Sequence, residues 1–207
     1  MLLFPFLYLI LLNIEQIILT KLQKRKIKVE TKRKLTLVIE PDPILHQVSE
    51  EVKEITSDLN DILDEMASIM GQFDGIGLAA PQVGILKRMI IIDAETIARE
   101  DKIPLPSERY LKIINPEIIE VSRETCLKEE GCLSLPTIYY TVERPEKIRI
   151  KYFNEKGEEL HLDADGLLAR CIEHEIDHLN GKIFIDYVGP LKRKLAISKL
   201  KKMKPRK

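Results

Sequence analysis

The stretch that most restricts this chain is Cys171-Ile172-Glu173-His174-Glu175-Ile176-Asp177-His178-Leu179. Read as a helix, it puts His174 and His178 one turn apart on a single face, with Glu175 about 100° further round. Two imidazoles so placed can share one metal ion, and the carboxylate beside them can reach a water on that ion. The surrounding residues sort by angle into three stripes. Arg170, Glu173, Asp177 and Asn180 form a polar one. Leu168, Ile172, Ile176 and Leu179 form the opposite apolar face, and Leu167, Cys171, His174 and His178 lie between. A helix polar along one stripe only is largely buried, so its histidines point into protein and other elements must wrap it.

The flanking sequence shows what does the wrapping. Ile148, Ile150 and Tyr152 alternate with Lys147, Arg149 and Lys151, and after Asn154-Glu155-Lys156-Gly157, Leu160 and Leu162 alternate with Glu159 and His161. This is a β-hairpin pattern. Asp163 or Asp165 is expected to cap the central helix, and Asn180-Gly181 to stop it. A short strand is expected at residues 183–188, and a basic helix from Leu191 on, ended by Pro205. Further upstream, Leu59, Ile62, Leu63, Met66, Ile69, Met70 and Phe73 recur at helical spacing. Thr56 or Ser57 is placed to cap that helix and Gly71 or Gly75 to end it. Residues 89–92 read as a buried strand, and residues 111–121 as a strand with a turn or bulge at Asn115-Pro116. The polar, proline-containing residues 95–109 read as an exposed loop. Strands before and after the helix, without βαβ alternation, give an α+β class. Antiparallel sheets wrap the central helix, and a basic helix closes the chain.

The 207 residues suit one globular domain. Zero formal net charge leaves no whole-chain field to favour nucleic acid. Charge is instead local: Lys192, Arg193, Lys194, Lys199, Lys201, Lys202, Lys204, Arg206 and Lys207 end the chain with no acid among them. Three cysteines, an odd number in a chain that needs no disulfide staples, suit a reducing compartment. Residues 1–12 are almost wholly apolar; Asn13, Glu15 and Gln16 interrupt, Ile17-Ile18-Leu19 resumes, and a basic run fills residues 21–34. A spanning helix needs about 20 apolar residues. The segment lacks a secretory n-region and cleavage site, and it is poor in arginine for a transit peptide. Residues 1–34 are therefore read as an extension, or a start assigned too early, outside a folded domain at 35–207. The alternative is a membrane anchor through residues 1–20 with its basic flank in the cytoplasm.

Two histidines do not complete a site, because a catalytic metal wants three protein ligands and one open position. Carboxylates and His161 are candidates for the third. The stronger one is Cys132, in the Gly-preceded, Pro-terminated turn Glu129-Glu130-Gly131-Cys132-Leu133-Ser134-Leu135-Pro136. Thiolate suits iron or zinc, and the metal keeps it deprotonated. Cys171, one helical turn before His174, reads as a small apolar residue near the metal. His46 and His161 read as ordinary hydrogen-bonding residues, and Cys126 carries no signal. In residues 74–84, small residues and glycines let backbone approach a ligand closely, and Gln82 is the single polar side chain of the second half.

Three stretches in order, Gly75-Ile76-Gly77-Leu78-Ala79-Ala80-Pro81-Gln82, Glu130-Gly131-Cys132-Leu133-Ser134 and His174-Glu175-Ile176-Asp177-His178, resemble the signature motifs of the peptide deformylase family. The resemblance runs from about Leu35 to the C-terminus and includes Pro41-Asp42-Pro43; the N-terminal extension and the loop after Asp93 fall outside it. It implies a metal-dependent hydrolase that removes the formyl group from the N-terminal formyl-methionine of new polypeptides and releases formate. By the same match Cys132, His174 and His178 hold the metal, ferrous iron by preference, with zinc, nickel or cobalt able to occupy the site. Glu175 is implied as general acid/base acting on metal-activated water. The Gln82 amide and the Leu133 backbone N–H are implied as the oxyanion hole. Ile76 and Gly77 are implied to pair with the extended peptide, and Glu130 and Cys171 to lie near the methionine pocket. Many members carry arginine where this chain has Tyr139, which puts the pocket's shape in question. The implied setting is the bacterial cytoplasm, with the basic tail suited to the ribosome. Two other readings are an ordinary His-Glu-x-x-His metallopeptidase and a non-catalytic, ribosome-associated metal-binding protein of the same fold. The Cys132 turn argues against the first, and the presence of Glu175, Gln82 and Cys132 together against the second.

Overall fold

The structure is a computed structural model that describes residues 34–102 and 107–203. The expectations for residues 1–33, including the anchor reading, for residues 103–106 of the expected loop, and for Pro205 lie outside the described residues. From Leu35 onward the chain forms one compact unit.

Helix α1, Ser57–Gln72, begins where Thr56 accepts a hydrogen bond from the Leu59 N–H. Its apolar spacing buries Leu63, Met66, Ala67, Ile69 and Met70. The chain then runs through β1, Gly77–Ala79, and a 3₁₀ turn, Ala80–Val83, to β2, Met89–Asp93. Residues 74–84, read as a loop, thus contain a three-residue strand that pairs antiparallel with β2, Gly77 opposite Ile92. Every residue of β2 is buried. Met89 and Ile91 pack with α1 on one side, and Ile90 and Ile92 pack on the other against the histidine helix. Alternating side chains of one strand feed two cores, which is why β2 shows an unbroken apolar run.

Strand β3, Tyr110–Val121, carries the expected irregularity: the register with its neighbour shifts after Ile114 and again after Ile118. Asn115 takes a left-handed φ of 50°, and its amide bonds both the N–H and the C=O of Val52 at 2.8 Å. Strands β4 (Thr125–Cys132), β5 (Leu135–Pro145), β6 (Lys147–Phe153) and β7 (Glu159–Asp165) follow. The five-stranded sheet runs β1-β2-β3-β6-β7, and β4-β5 forms a separate two-stranded ribbon. All the strand pairs are antiparallel, as expected. The expected β6–β7 hairpin is present. The histidine helix, α3 (Gly166–Leu179), is buried from Ala169 to Leu179, with the sheet on one side and the ribbon on another. A basic helix closes the described chain as expected, over Pro190–Lys202; it follows one 3₁₀ turn and is the fourth α-helix among the described residues. Among the described residues no helix is long and apolar enough to cross a membrane.

Three local expectations are corrected. Residues 95–109 are not all loop: α2, Ala94–Asp101, starts where Asp93 accepts from the Thr96 N–H at 3.0 Å, and it buries Ala94, Ile97 and Ala98. Arg109 in turn grips Asp93 at 2.9 Å. Residues 183–188 hold a 3₁₀ turn, Phe184–Tyr187, in place of a strand. The Asp186 carboxylate accepts from the Ile183 N–H at 3.0 Å, a local bond that competes with extended backbone. The cap of α3 also differs. Asp165 holds the N-cap position but makes no side-chain bond there, and Asp163 pairs with Arg149 instead. The closing helix, Pro190–Lys202, is α4 below.

Candidate metal centre

The unpaired side of β1 opens on a groove of about 1070 Å³. Ile76, Gly77 and Gln82 line it on the β1 side, Glu130, Cys132 and Leu133 on the ribbon side, and Leu167, Cys171, His174 and Glu175 along α3. Leu167, Cys171 and His174 reach it from one stripe of the helix, and Glu175 from the position next to His174. Cys132 is the last residue of β4, not a free turn residue, and the turn to β5 follows it.

The candidate ligand atoms of Cys132, His174 and His178 lie within 4.8 Å of one another. The Cys132 sulfur stands 3.2 Å from His178 Nε2. His174 Nδ1 donates to Glu130 Oε2 at 3.0 Å, which leaves Nε2 as the ring atom available to a metal. The two rings meet edge to face with centroids 5.1 Å apart, and Phe184 stacks on His174 at 5.9 Å. Burial disfavours charge on His174, yet Cys132 and Glu130 pull its pKa well above the usual histidine value. Burial, with His174 beside it, pushes His178 well below. The cluster therefore offers one thiol and two imidazoles to a common point. That is a donor set suited to a divalent iron or zinc ion, so the residues fit the metal that the motif implies.

Glu175 is almost wholly buried, and its Oε2 has no partner among the described residues. Burial, with Glu130 nearby, pushes its pKa up to about 7. Gly77 makes room for this carboxylate. A Cβ there would collide with Glu175 and stand 2.7 Å from the Cys171 sulfur. Gln82 is fixed from three sides: Oε1 accepts from the Ala79 N–H at 2.7 Å, and Nε2 donates to Ser134 Oγ at 3.2 Å and to Cys132 Sγ at 3.4 Å. Leu133 packs against Gly75, where a Cβ would lie 2.7 Å from Leu133 Cδ1. Tyr139 lies opposite Gly131 on the ribbon's outer face, largely exposed, at the lip of the groove.

Behind His174 stands a buried charge network that the sequence reading missed. Arg144 holds both oxygens of Glu130, at 2.8 and 3.0 Å, and donates to Asp177 at 2.6 Å. Arg170 donates to Glu130 at 2.6 Å, and the Tyr187 hydroxyl to Asp177 at 2.8 Å. Burial would raise Glu130, but Arg144 and His174 outweigh it and hold the carboxyl far below the usual range. The polar stripe of α3 therefore faces protein and not water. A signal was present: Ile138, Val142 and Arg144 share the inward face of β5, so the arginine occupies a core position. His46 bonds Glu40 at 3.0 Å, and His161 is exposed; neither joins the centre. Cys171 sits beside Ile76, its thiol 3.6 Å from the Ile76 carbonyl, and Cys126 accepts from Arg170.

The sequence profile of the polypeptide deformylase family matches residues 34–194. A relative from Mesorhizobium japonicum, described as a peptide deformylase, is 46% identical over 167 residues, which is 81% of this chain and 91% of that one. The crystal structure of a peptide deformylase from Ehrlichia chaffeensis superposes with a TM-score of 0.76 at 39% identity, covering 82% of this chain and 96% of the other. A peptide deformylase from Plasmodium falciparum superposes with a TM-score of 0.71 at 38% identity, covering 80% and 94%.

Proposed function

The chain belongs to the peptide deformylase family, and from that premise we propose which of its residues carry the reaction. It is an enzyme that removes the formyl group from the N-terminus of newly made polypeptides. Cys132, His174 and His178 hold one divalent ion, Fe²⁺ by preference, with Zn²⁺, Ni²⁺ or Co²⁺ able to replace it. When bound, the ion supplies Lewis acidity, lowering the pKa of water and polarising the formyl oxygen.

The other steps belong to side chains and backbone. Glu175 takes the proton of the attacking water on its unpartnered oxygen and delivers it to the departing amine; its pKa near 7 suits both transfers. The Gln82 amide and the Leu133 N–H meet the charge that develops on the formyl oxygen, each such donor worth about 3 kcal/mol. Ser134 keeps the Gln82 amide turned towards the ligand cysteine. The open edge of β1, at Ile76 and Gly77, takes the peptide as an added strand. Cys171 borders the pocket for the methionine side chain. Glu130 also borders it, but its carboxylate is occupied by two arginines and His174, so its part is to aim the imidazole.

One observation carries this reading: three metal-ligating atoms converge beside a buried carboxyl that has a free oxygen. Formate release from formyl-Met-Ala-Ser, measured anaerobically after loading with Fe²⁺, tests it. We expect turnover that chelation abolishes and that each of the four metals restores to a different degree. Full turnover by protein shown to be metal-free would remove the metal from the account.

We propose that the activity is exercised at the ribosome in the cytoplasm, with α4 as the contact. Leu191, Lys194, Leu195 and Lys202 are exposed there, while Lys199 is tied to the Thr137 carbonyl at 2.8 Å. Lys194→Glu with Lys202→Glu is expected to weaken salt-sensitive co-sedimentation with ribosomes and to leave turnover of short peptides at the parental rate. Unchanged co-sedimentation would sink the placement, and pelleting with membranes would favour an anchor in residues 1–20.

A further inference from the structure

Helix α3 does not start as its own sequence suggests. Asp165, at the N-cap, leaves the first amides without a side-chain partner. Two partners from elsewhere take them. The Gly166 N–H donates to the Glu146 carbonyl at 3.2 Å, and the Leu167 N–H donates to Asp101 Oδ2 at 3.1 Å, across 66 residues of sequence. Gly166 has a left-handed φ of 57°, and a Cβ on it would lie 3.1 Å from the same Asp101 oxygen. The glycine thus keeps open the space that the carboxylate fills. Asp101 is the last residue of α2, whose start is fixed by Asp93 and Arg109. Ile97 of α2 packs in one cluster with Ala169 and Ile172 of α3.

Leu167 is also a groove residue. It lies one helical turn before Cys171, on the stripe that carries His174 and His178. Its backbone N–H is held by Asp101 while its side chain borders the space for substrate. We propose that Asp101 is a positioning residue for substrate recognition: by bonding the Leu167 amide it fixes the first turn of the metal-binding helix, and with it the Leu167 side chain against the methionine of the substrate. A short helix inserted between β2 and β3 thereby sets the wall of a pocket that it does not touch. Only an acceptor oxygen at this reach is required, so asparagine can serve and alanine cannot.

This inference rests on the groove being the deformylation site. The experiment measures kcat and KM of the metal-loaded full chain on formyl-Met-Ala-Ser and formyl-Leu-Ala-Ser, with metal content in parallel. A lost cap of this kind is worth roughly a fivefold change. Asp101→Ala is expected to raise KM for the methionyl peptide by about that factor and to narrow its lead over the leucyl peptide, with kcat and metal content unchanged. Asp101→Asn is expected to stay close to the parent. Leu167→Ala is expected to raise KM as well, and the double variant Asp101→Ala with Leu167→Ala to be no worse than Leu167→Ala alone, since one acts through the other. If Asp101→Ala does not fold, Asp101→Ser, polar but too short to reach, carries the same readout. Parental KM and discrimination in a folded Asp101→Ala, or additive effects in the double variant, would overturn the inference while leaving the deformylase reading intact. A parent that released no formate would instead overturn that reading.

Discussion

Strand β1 and the β4–β5 ribbon line the same groove, yet different forces hold them in place. β1 is a three-residue edge of the larger sheet, wholly buried, with apolar clusters on both sides. Its contribution to the site is an absence of side chains: Gly77 lies so close to Glu175 and Cys171 that nothing larger fits. The ribbon has only two strands, and such a pair is marginal in water by itself. What fastens it to α3 is buried charge, with Arg144 bridging Glu130 and Asp177, and Arg170 reaching Glu130 from the helix. An apolar cluster of Leu135, Ile138, Val142, Phe184 and Leu200 supports it from the far side. One wall therefore fails when atoms are added, and the other when a charge is removed. Both failures meet at α3, which presents His174 to the ribbon and Glu175 to β1.

The sharper break is expected in the ribbon. Arg144→Met leaves Asp177 a buried carboxylate without its cation and Glu130 with Arg170 as its remaining arginine, a loss of about 3–5 kcal/mol for a broken buried pair. For a chain of this size that lowers the melting temperature by roughly 10 °C. Calorimetry checks it, and a shift of only a degree or two would show that the apolar cluster alone holds the ribbon. Acid adds a second readout on the same residues. Glu130 has a depressed pKa, so its contribution is fully present above the ordinary carboxylate value, about 4.3, and is lost as pH falls through the lower folded value. In the parent this loss occurs on acidification below that value, and Arg144→Met is expected to lose part of this acid dependence.

A smaller stability effect with a larger functional one is expected on the other wall. Gly77→Ala overpacks a tight contact with Glu175, costing about 1–3 kcal/mol, and it displaces the carboxylate proposed to handle the proton. We expect metal content near the parent's and turnover down by a factor of about 10² or more. Near-parental turnover would mean that Glu175 can relocate without penalty, and the contrast between the walls would then be one of packing alone.

How much of this was legible in the sequence follows from the range of the interactions. Helix α3 was legible because its whole circumference is written in one run of residues. The apolar run of β2 and the Asn115 irregularity were legible for the same local reason. Helix α2 was not read, since its few apolar positions, Ala94, Ile97 and Ala98, sit among charges; Asp93 three residues before Thr96 was the cue. Residues 183–188 read as a strand because Ile183, Phe184 and Ile185 form an apolar run, and only the Asp186 contact shows the turn. Cys132 was ranked first as third ligand by its turn and by motif order, but its approach to His178 spans 46 residues and no spacing rule foretells it. The Arg144 network and the Asp101 contact are of that long-range kind too. The polar stripe of α3 was seen, but what it faced was not.

In the proposed division of labour two histidines and a cysteine hold the ion while Glu175 moves the proton. The most direct measurement sets Glu175→Ala beside His174→Ala, with elemental analysis and formate release from formyl-Met-Ala-Ser on the same preparations. Glu175→Ala is expected to keep near-stoichiometric metal and to lose at least about a hundredfold in turnover. His174→Ala is expected to lose metal and turnover together. If Glu175→Ala turned over within a few-fold of the parent, or lost its metal as His174→Ala does, that division would be wrong and the proton carrier would be another group.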